Sequence, residues 1–191
     1  MAARVGLSKT SIVEVAAALA DEVGLDALAL AALATRLHVR TPSLFHYVAG
    51  LAGLRREIAL LGLREQAVAL GEAVMGRAGD EAVRALAAAY RAYVKARPGV
   101  YEATVHAAPA SDTELQAAQS QVVDIALRAL GAYHLAPDDA IHAVRMLRSA
   151  VHGFATLEIA GGFGLPQEVD ETFRRLIEGY LGTLAANRRD E

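Results

Sequence analysis

The sequence predicts an all-α chain: a three-helix head that contains a helix-turn-helix, followed by a larger helical body. Three observations carry this. Alanine, the best helix former, dominates an apolar content of 54%. Runs that alternate Val, Ile or Thr with polar residues, as half-buried strands do, are scarce. Apolar residues instead recur at i, i+3, i+4 and i+7 between breaks marked by Gly and Pro. The expected division is residues 1–50 for the head and 51–191 for the body.

The head reads as follows. Ser8 to Glu22 forms a helix with Ile12, Val13, Ala16, Leu19, Ala20 and Val23 inward, ended by Gly24 in the position of a C-cap. Leu30, Leu33, Ala34 and Leu37 form a second apolar stripe about two turns long, which stops at His38-Val39-Arg40. A third helix starts at Thr41, whose hydroxyl is placed to cap free amides, with Pro42 at the first helical position. Its inward side is Leu44, Phe45 and Val48, which leaves Arg40, Thr41, Ser43, His46 and Tyr47 outward. All five hydrogen-bond or stack, and none is needed for a core. A second helix that keeps such groups free while its back packs has the form of a major-groove reader. A short helix-turn-helix is also a common way to pack two helices, so a helical protein-interaction module is the competing reading. Lys9 and Arg4 lie at the N-terminal edge of the head, where phosphates are met.

The run Ile12-Val13-Glu14-Val15-Ala16, Gly24-Leu25-Asp26-Ala27-Leu28, Leu33-Ala34-Thr35-Arg36-Leu37-His38-Val39 and Pro42-Ser43-Leu44-Phe45-His46-Tyr47-Val48 resembles the N-terminal domain of the TetR family of bacterial transcriptional repressors. The resemblance covers roughly a quarter of the chain. It implies that Arg40, Thr41, Pro42, Ser43, His46 and Tyr47 face an operator, and it implies no catalysis. Three positions depart from the family pattern: His38 stands at a turn position usually held by Gly, Phe45 replaces a common Tyr, and Leu51 replaces a common Lys. His is among the few residues besides Gly that tolerate a left-handed backbone. With the lysine gone, phosphate binding at the next helix rests on its N-terminal amides, with Arg55 and Arg56 a turn later.

A formal net charge of -3 excludes a polycation that binds nucleic acid by bulk attraction. Within residues 1–54, Arg4, Lys9, Arg36 and Arg40 are balanced by Glu14, Asp21, Glu22 and Asp26. Binding is therefore expected to depend on base contacts and on doubling the head through dimerisation, with a shallow salt dependence. The absence of cysteine excludes disulfides, thiol catalysis and thiolate metal sites. The N-terminus has no extended apolar run, and charges interrupt every candidate spanning stretch, so a cytoplasmic location is expected.

The body reads as helices over Leu51–Met75, Glu81–Ala96 (stopped by Pro98-Gly99), Val100–His106, Asp112–Leu130 (capped by Ser111), Pro137–Ala160 and Glu168–Ala186. The last two carry apolar stripes: Val144, Leu147, Val151, Phe154 and Leu157 on one, Phe173, Leu176, Ile177, Tyr180, Leu181 and Leu184 on the other. Periodicity alone fits a monomeric helix pair as well as an oligomer. The family resemblance implies a four-helix dimer interface, with Val144, Leu147, Val151, Phe173, Leu176, Ile177, Tyr180 and Leu184 as candidate dimerisation residues.

A small apolar or amphipathic effector is expected between head and dimer helices. Its candidate lining is Tyr90, Tyr93, Tyr101, His106, Met146, Ser149, His152 and Phe154, an apolar set with a few hydrogen-bonding groups. Val151-His152-Gly153 is similar to a Trp-His-Gly motif of one subgroup of the family, without its tryptophan. The helix from Leu51 to Met75 is the expected lever through which a ligand alters operator binding. No cofactor is implied. An enzyme is disfavoured: the six histidines form no His-x-x-x-His or Glu-x-x-His pair, and Gly161-Gly162-Phe163-Gly164 lacks the Lys and Ser/Thr of a phosphate loop. The expected function is a ligand-responsive DNA-binding regulator, a repressor released from a palindromic operator.

Overall fold

The computed structural model describes residues 7–187, and Arg4 lies outside them. Among the described residues there are nine α-helices, one 3₁₀ turn and no strand: α1 (Lys9–Val23), α2 (Leu30–Arg36), α3 (Thr41–Leu44), α4 (Gly50–Val74), α5 (Gly79–Ala96), α6 (Pro98–Thr104), α7 (Thr113–Ala129), the turn Gly131–Tyr133, α8 (Pro137–Ile159) and α9 (Val169–Asn187). They gather into two compact units. One takes in the described residues up to Arg64 together with Arg97–Ala118; the other takes in Glu65–Ala96 and the described residues from Gln119 on. The unit that holds the head thus extends past residue 50, to the first turns of α4, all of α6 and the start of α7.

In the first unit, α1 is set at its start by a reciprocal capping box: the Ser11 amide donates to Ser8 Oγ at 3.1 Å, and the Ser8 amide donates to Ser11 Oγ at 3.0 Å. Ile12, Ala16 and Ala20 on its inner face join Leu33, Ala34, Leu44, Val48, Leu54, Ile58 and Val100 in one core. Two glycines let backbones approach. A Cβ at Gly62 of α4 would lie 2.7 Å from Val100 Cγ1, and one at Gly99 of α6 would lie 2.1 Å from the Ala20 carbonyl oxygen. Pro98-Gly99, expected as a helix stop, therefore opens α6, since Pro is well tolerated in a first turn. Asp112, not Ser111, caps α7: its Oδ1 accepts the Leu115 amide at 3.1 Å. The same carboxylate holds Arg56, with Nη2 to Oδ1 at 2.7 Å, and Glu114 takes a further Arg56 hydrogen bond at 2.9 Å.

In the second unit, α5 packs on α8 and α9, which also pack on each other. Val83, Leu86, Ala87, Leu147, Val151, Phe154, Phe173, Ile177, Tyr180 and Leu184 are buried there. The Tyr180 hydroxyl donates to the Ala143 carbonyl at 2.9 Å, and the Tyr133 hydroxyl donates to Asp80 Oδ1 at 2.6 Å. Burial drives both phenols upward from their ordinary range, and the Asp80 carboxylate adds to the effect at Tyr133. Arg91 of α5 fastens α8 by a two-pronged pair with Glu158 at 2.7 and 2.8 Å, while its guanidinium lies over the rings of Phe154 and Phe173. No described helix is long and apolar enough to cross a membrane.

Candidate nucleic-acid interface

The turn between α2 and α3 is a complete Schellman motif. The His38 amide donates to the Thr35 carbonyl at 3.1 Å, and the Val39 amide reaches back to the Ala34 carbonyl at 3.0 Å. This geometry requires a left-handed residue at the first position beyond the C-cap, and His38 supplies it with φ 55. Val39 then packs on the head core, which aims the chain into α3. Arg40 is the N-cap of α3, with Thr41 and Pro42 in its first turn; no side chain caps it, so the Thr41 cap is not formed.

The α-helix of the second element ends at Leu44, and the chain continues in hydrogen-bonded turns: the Tyr47 and Val48 amides both donate to the Leu44 carbonyl, at 2.9 and 3.1 Å. Leu44 and Val48 are buried, as expected. Phe45 is not: its ring is 58% exposed. Tyr47 takes the inner place beside Leu44 instead, half-buried against the head core. The outward face therefore consists of Arg40, Pro42, Phe45 and His46, with Thr41 and Ser43 partly covered.

The cations of the unit are mostly committed to their own chain. Lys9 Nζ lies 2.7 Å from Glu57 Oε1, and Arg36 forms a two-pronged pair with Glu22. Arg55 donates through Nη2 to the Leu25 and Asp26 carbonyls at 2.9 and 3.3 Å, so it closes the connection after α1 rather than standing at the outer face. Arg56 is held by Asp112 and Glu114, which are themselves drawn below the ordinary carboxylate range by its guanidinium. Arg40 is exposed and makes no ion pair among the described residues.

The eight candidate effector residues divide between the two units. Tyr101, buried on α6, and His106, exposed beyond it, belong to the first unit; the other six belong to the second. Of these, Tyr90, Tyr93 and Phe154 are buried, and the Tyr93 hydroxyl meets Glu65 Oε2 at 3.3 Å. His152 is half-buried, and that burial pushes its imidazole down from the ordinary value, with the Arg148 charge assisting. Met146 and Ser149 point outward. A recess of about 470 Å³ on the second unit is lined by Ala88, Arg91, Ala92, Lys95, Ala96 and Phe173, of which Arg91 and Phe173 pack against Phe154. The sequence carried one signal for it, the Ala88-Ala92-Ala96 row at i, i+4 and i+8.

The candidate dimerisation residues lie mostly in the core of the second unit. Leu147, Val151, Phe173, Ile177, Tyr180 and Leu184 are buried within the chain's own second unit, and Val144 and Leu176 are half-buried. The outward stripe of α8 is Met146, Ala150, Gly153 and Leu157, at i, i+4, i+7 and i+11, with Met146 and Leu157 each more than half exposed.

A helix-turn-helix that keeps its outer face free, in an otherwise all-helical chain, defines a DNA-binding regulator of the helix-turn-helix class. Known proteins place it more narrowly. The profile of the tetracyclin repressor-like C-terminal domain matches residues 83–180. A Bacillus subtilis (strain 168) HTH-type transcriptional regulator, YobS, is 34% identical over 191 residues, covering 100% of this chain and 99% of that one. The Mycobacterium tuberculosis HTH-type regulator Rv0681 is 37% identical over 156 residues, 81% of this chain and 72% of that one. The fold is shared with TetR-Q116A of Acinetobacter baumannii AYE, solved in complex with minocycline (TM-score 0.74, 20% identity, 95% of this chain and 98% of that one). It is also shared with a Rhodococcus sp. RHA1 protein of unknown function (TM-score 0.80, 23% identity, 97% of this chain and 99% of that one). The chain belongs to the TetR family. It is a DNA-binding transcriptional regulator, not an enzyme.

Proposed function

We propose that this regulator is a repressor that binds a palindromic operator as a homodimer and is released from it by a small molecule. The observation that carries the reading is the outer face at Arg40, Pro42, Phe45 and His46, a set of side chains left free by a core that is already complete without them. Thr41 and Ser43 lie at its edge, while the Lys9 charge stays with Glu57. The second copy docks on the outward stripe of α8, Met146, Ala150, Gly153 and Leu157, beside Gly179 and Gly182 of α9, where an added Cβ would meet nothing within 4 Å. Small residues there allow close helix approach, and a two-fold axis sets two heads about 34–36 Å apart for successive major grooves.

The effector is an amphipathic molecule, for which the recess lined by three alanines and Phe173, rimmed by Arg91 and Lys95, supplies apolar contact with polar groups at the edge. It acts by population shift, favouring the disposition of the two heads that does not match the operator. The setting is the cytoplasm, where the DNA is. Selection of bound sequences from random duplex DNA by the purified protein tests the reading. A palindrome is expected, bound by a dimer that Met146→Asp together with Leu157→Asp makes monomeric. No enrichment of any sequence would overturn it.

A further inference from the structure

The recess on α5 is bordered by two cations whose hydrogen bonds are not all spent. Its floor is the row Ala88, Ala92 and Ala96, single methyl groups along about 12 Å of helix, and Phe173 of α9 walls one side. The charged side chains of the lining are Arg91 and Lys95, both cations, with no acid among them. Arg91 is held in place: its side chain is 12% exposed, its guanidinium lies over the Phe154 and Phe173 rings, and Nε and Nη2 donate to Glu158. A guanidinium has five N–H donors, and the two on Nη1 have no partner among the described residues. Lys95 Nζ gives one of its three donors to Glu158, which leaves two.

The two acids that meet these cations differ in how firmly they are bound. Glu158 is mostly buried and pairs with both Arg91 and Lys95. Asp170 reaches only Arg91, at 2.7 Å from Nη2, and its side chain is 87% exposed. A pair so open to water is worth little, so Asp170 yields readily to a carboxylate arriving from outside. An amine in the recess would face two cations, and an uncharged molecule would forgo the stronger, charge-assisted bonds. We infer that the recess takes an organic carboxylate with an apolar body. The body lies between the alanine row and Phe173, while the carboxylate accepts from Arg91 Nη1 and Lys95 Nζ and competes with Asp170 for the Arg91 charge. The inference rests on the effector role of this recess proposed above and adds the charge and chemical class of the molecule.

The probe is naphthoate, a flat apolar body with one carboxylate, titrated into the full-length protein without DNA and followed by calorimetry. Naphthamide, of the same shape and without charge, is the comparison. Naphthoate is expected to bind wild type roughly tenfold more tightly than naphthamide. Lys95→Gln is expected to narrow that difference about threefold, and Asp170→Asn to tighten naphthoate about threefold while leaving naphthamide unchanged. Ala92→Phe, at an exposed position, fills the recess and is expected to abolish binding of both probes, with thermal unfolding showing that the variant is folded. Equal affinity of wild type for the two probes, no saturable binding of naphthoate, or naphthoate binding that folded Ala92→Phe retains overturns the inference. Carboxylate-selective binding that Ala92→Phe abolishes but that leaves operator binding unchanged upholds the inference and overturns the effector role of the recess alone.

Discussion

Gly99 rests directly against the carbonyl of Ala20, so close that a methyl group on it would stand 2.1 Å from the oxygen and 2.3 Å from the carbon. This contact joins the start of α6 to the end of α1, and polar bonds surround it. Asp21 Oδ1 accepts the Val100 amide at 2.9 Å, Asp21 Oδ2 accepts Arg97 Nε at 2.7 Å, and Glu102 Oε2 accepts the Leu25 amide at 3.3 Å. The obstacle is backbone, which cannot rotate aside. Gly99→Ala is expected to destabilise the first unit by about 3 kcal/mol and to weaken operator binding through it, as measured by urea unfolding alongside a mobility-shift titration. Unchanged unfolding would show that α6 and α1 are not packed this closely.

His38 occupies the left-handed corner of the helix-turn-helix with φ 55. A side chain there is strained, and Gly removes the strain while leaving both backbone hydrogen bonds of the motif in place. His38→Gly is expected to raise stability by about 0.5–1 kcal/mol, the steric relief partly offset by the greater freedom of Gly in the unfolded chain. A fall in thermal midpoint would contradict this.

Arg40 and Arg55 separate binding from folding. Arg40 is exposed without an ion pair among the described residues, whereas Arg55 satisfies the Leu25 and Asp26 carbonyls. Arg40→Ala is expected to weaken DNA binding roughly tenfold, about 1.4 kcal/mol, with unfolding unchanged. Arg55→Ala is expected to cost about 1–2 kcal/mol of stability. Measured side by side, a reversal of these two effects would move the interface to the start of α4.

Lys9 is bound to Glu57 at 2.7 Å, so its charge is already shared when DNA arrives. The salt dependence of operator binding is therefore expected to be shallow. Glu57→Gln frees the lysine and steepens the slope of log K against log salt by about 0.9 per head. A wild-type slope near -10 would contradict the sparse set of phosphate anchors.

Glu158, held first by Arg91 and then by Lys95, is drawn from an ordinary 4.5 down to about 2. The folded state holds the carboxylate ionised more strongly than the unfolded chain does. Its contribution is therefore complete above the ordinary value and lost as pH falls from about 4.5 toward 2. Denaturant unfolding is expected to show wild type losing about 1 kcal/mol more than Glu158→Gln between pH 7 and pH 3, the full linkage figure of about 2 kcal/mol being reduced for partial solvent screening. Equal losses in the two proteins would show that the Arg91 pair carries no net stability.

The helices and their breaks were legible in the amino-acid sequence because they depend on local chemistry. The 3.6-residue apolar period, Gly24 and the turn at His38 each act within a few residues. The exposure of Arg40 and His46 was legible for the same reason, since polar groups at those positions had no core to enter. What was not legible was which of two similar apolar or aromatic positions finds space inside. Phe45 and Tyr47 are both amphipathic in position on a short element, and only the space left beside Leu44 decided that the tyrosine turns in and the phenylalanine out. The stripe Leu147, Val151, Phe173, Ile177, Tyr180 and Leu184 is equally apolar whether a second chain or its own chain covers it, and α5 covers it. Arg55 reads as a cation free for phosphate until the carbonyls of Leu25 and Asp26 arrive from 30 and 29 residues away in sequence. The sequence by itself determined the helices, to within a few residues at their ends, and the class of reader. The tertiary structure alone decided which side chains remain exposed and unpaired at the surface, because burial and ion pairing are settled by residues distant in the chain.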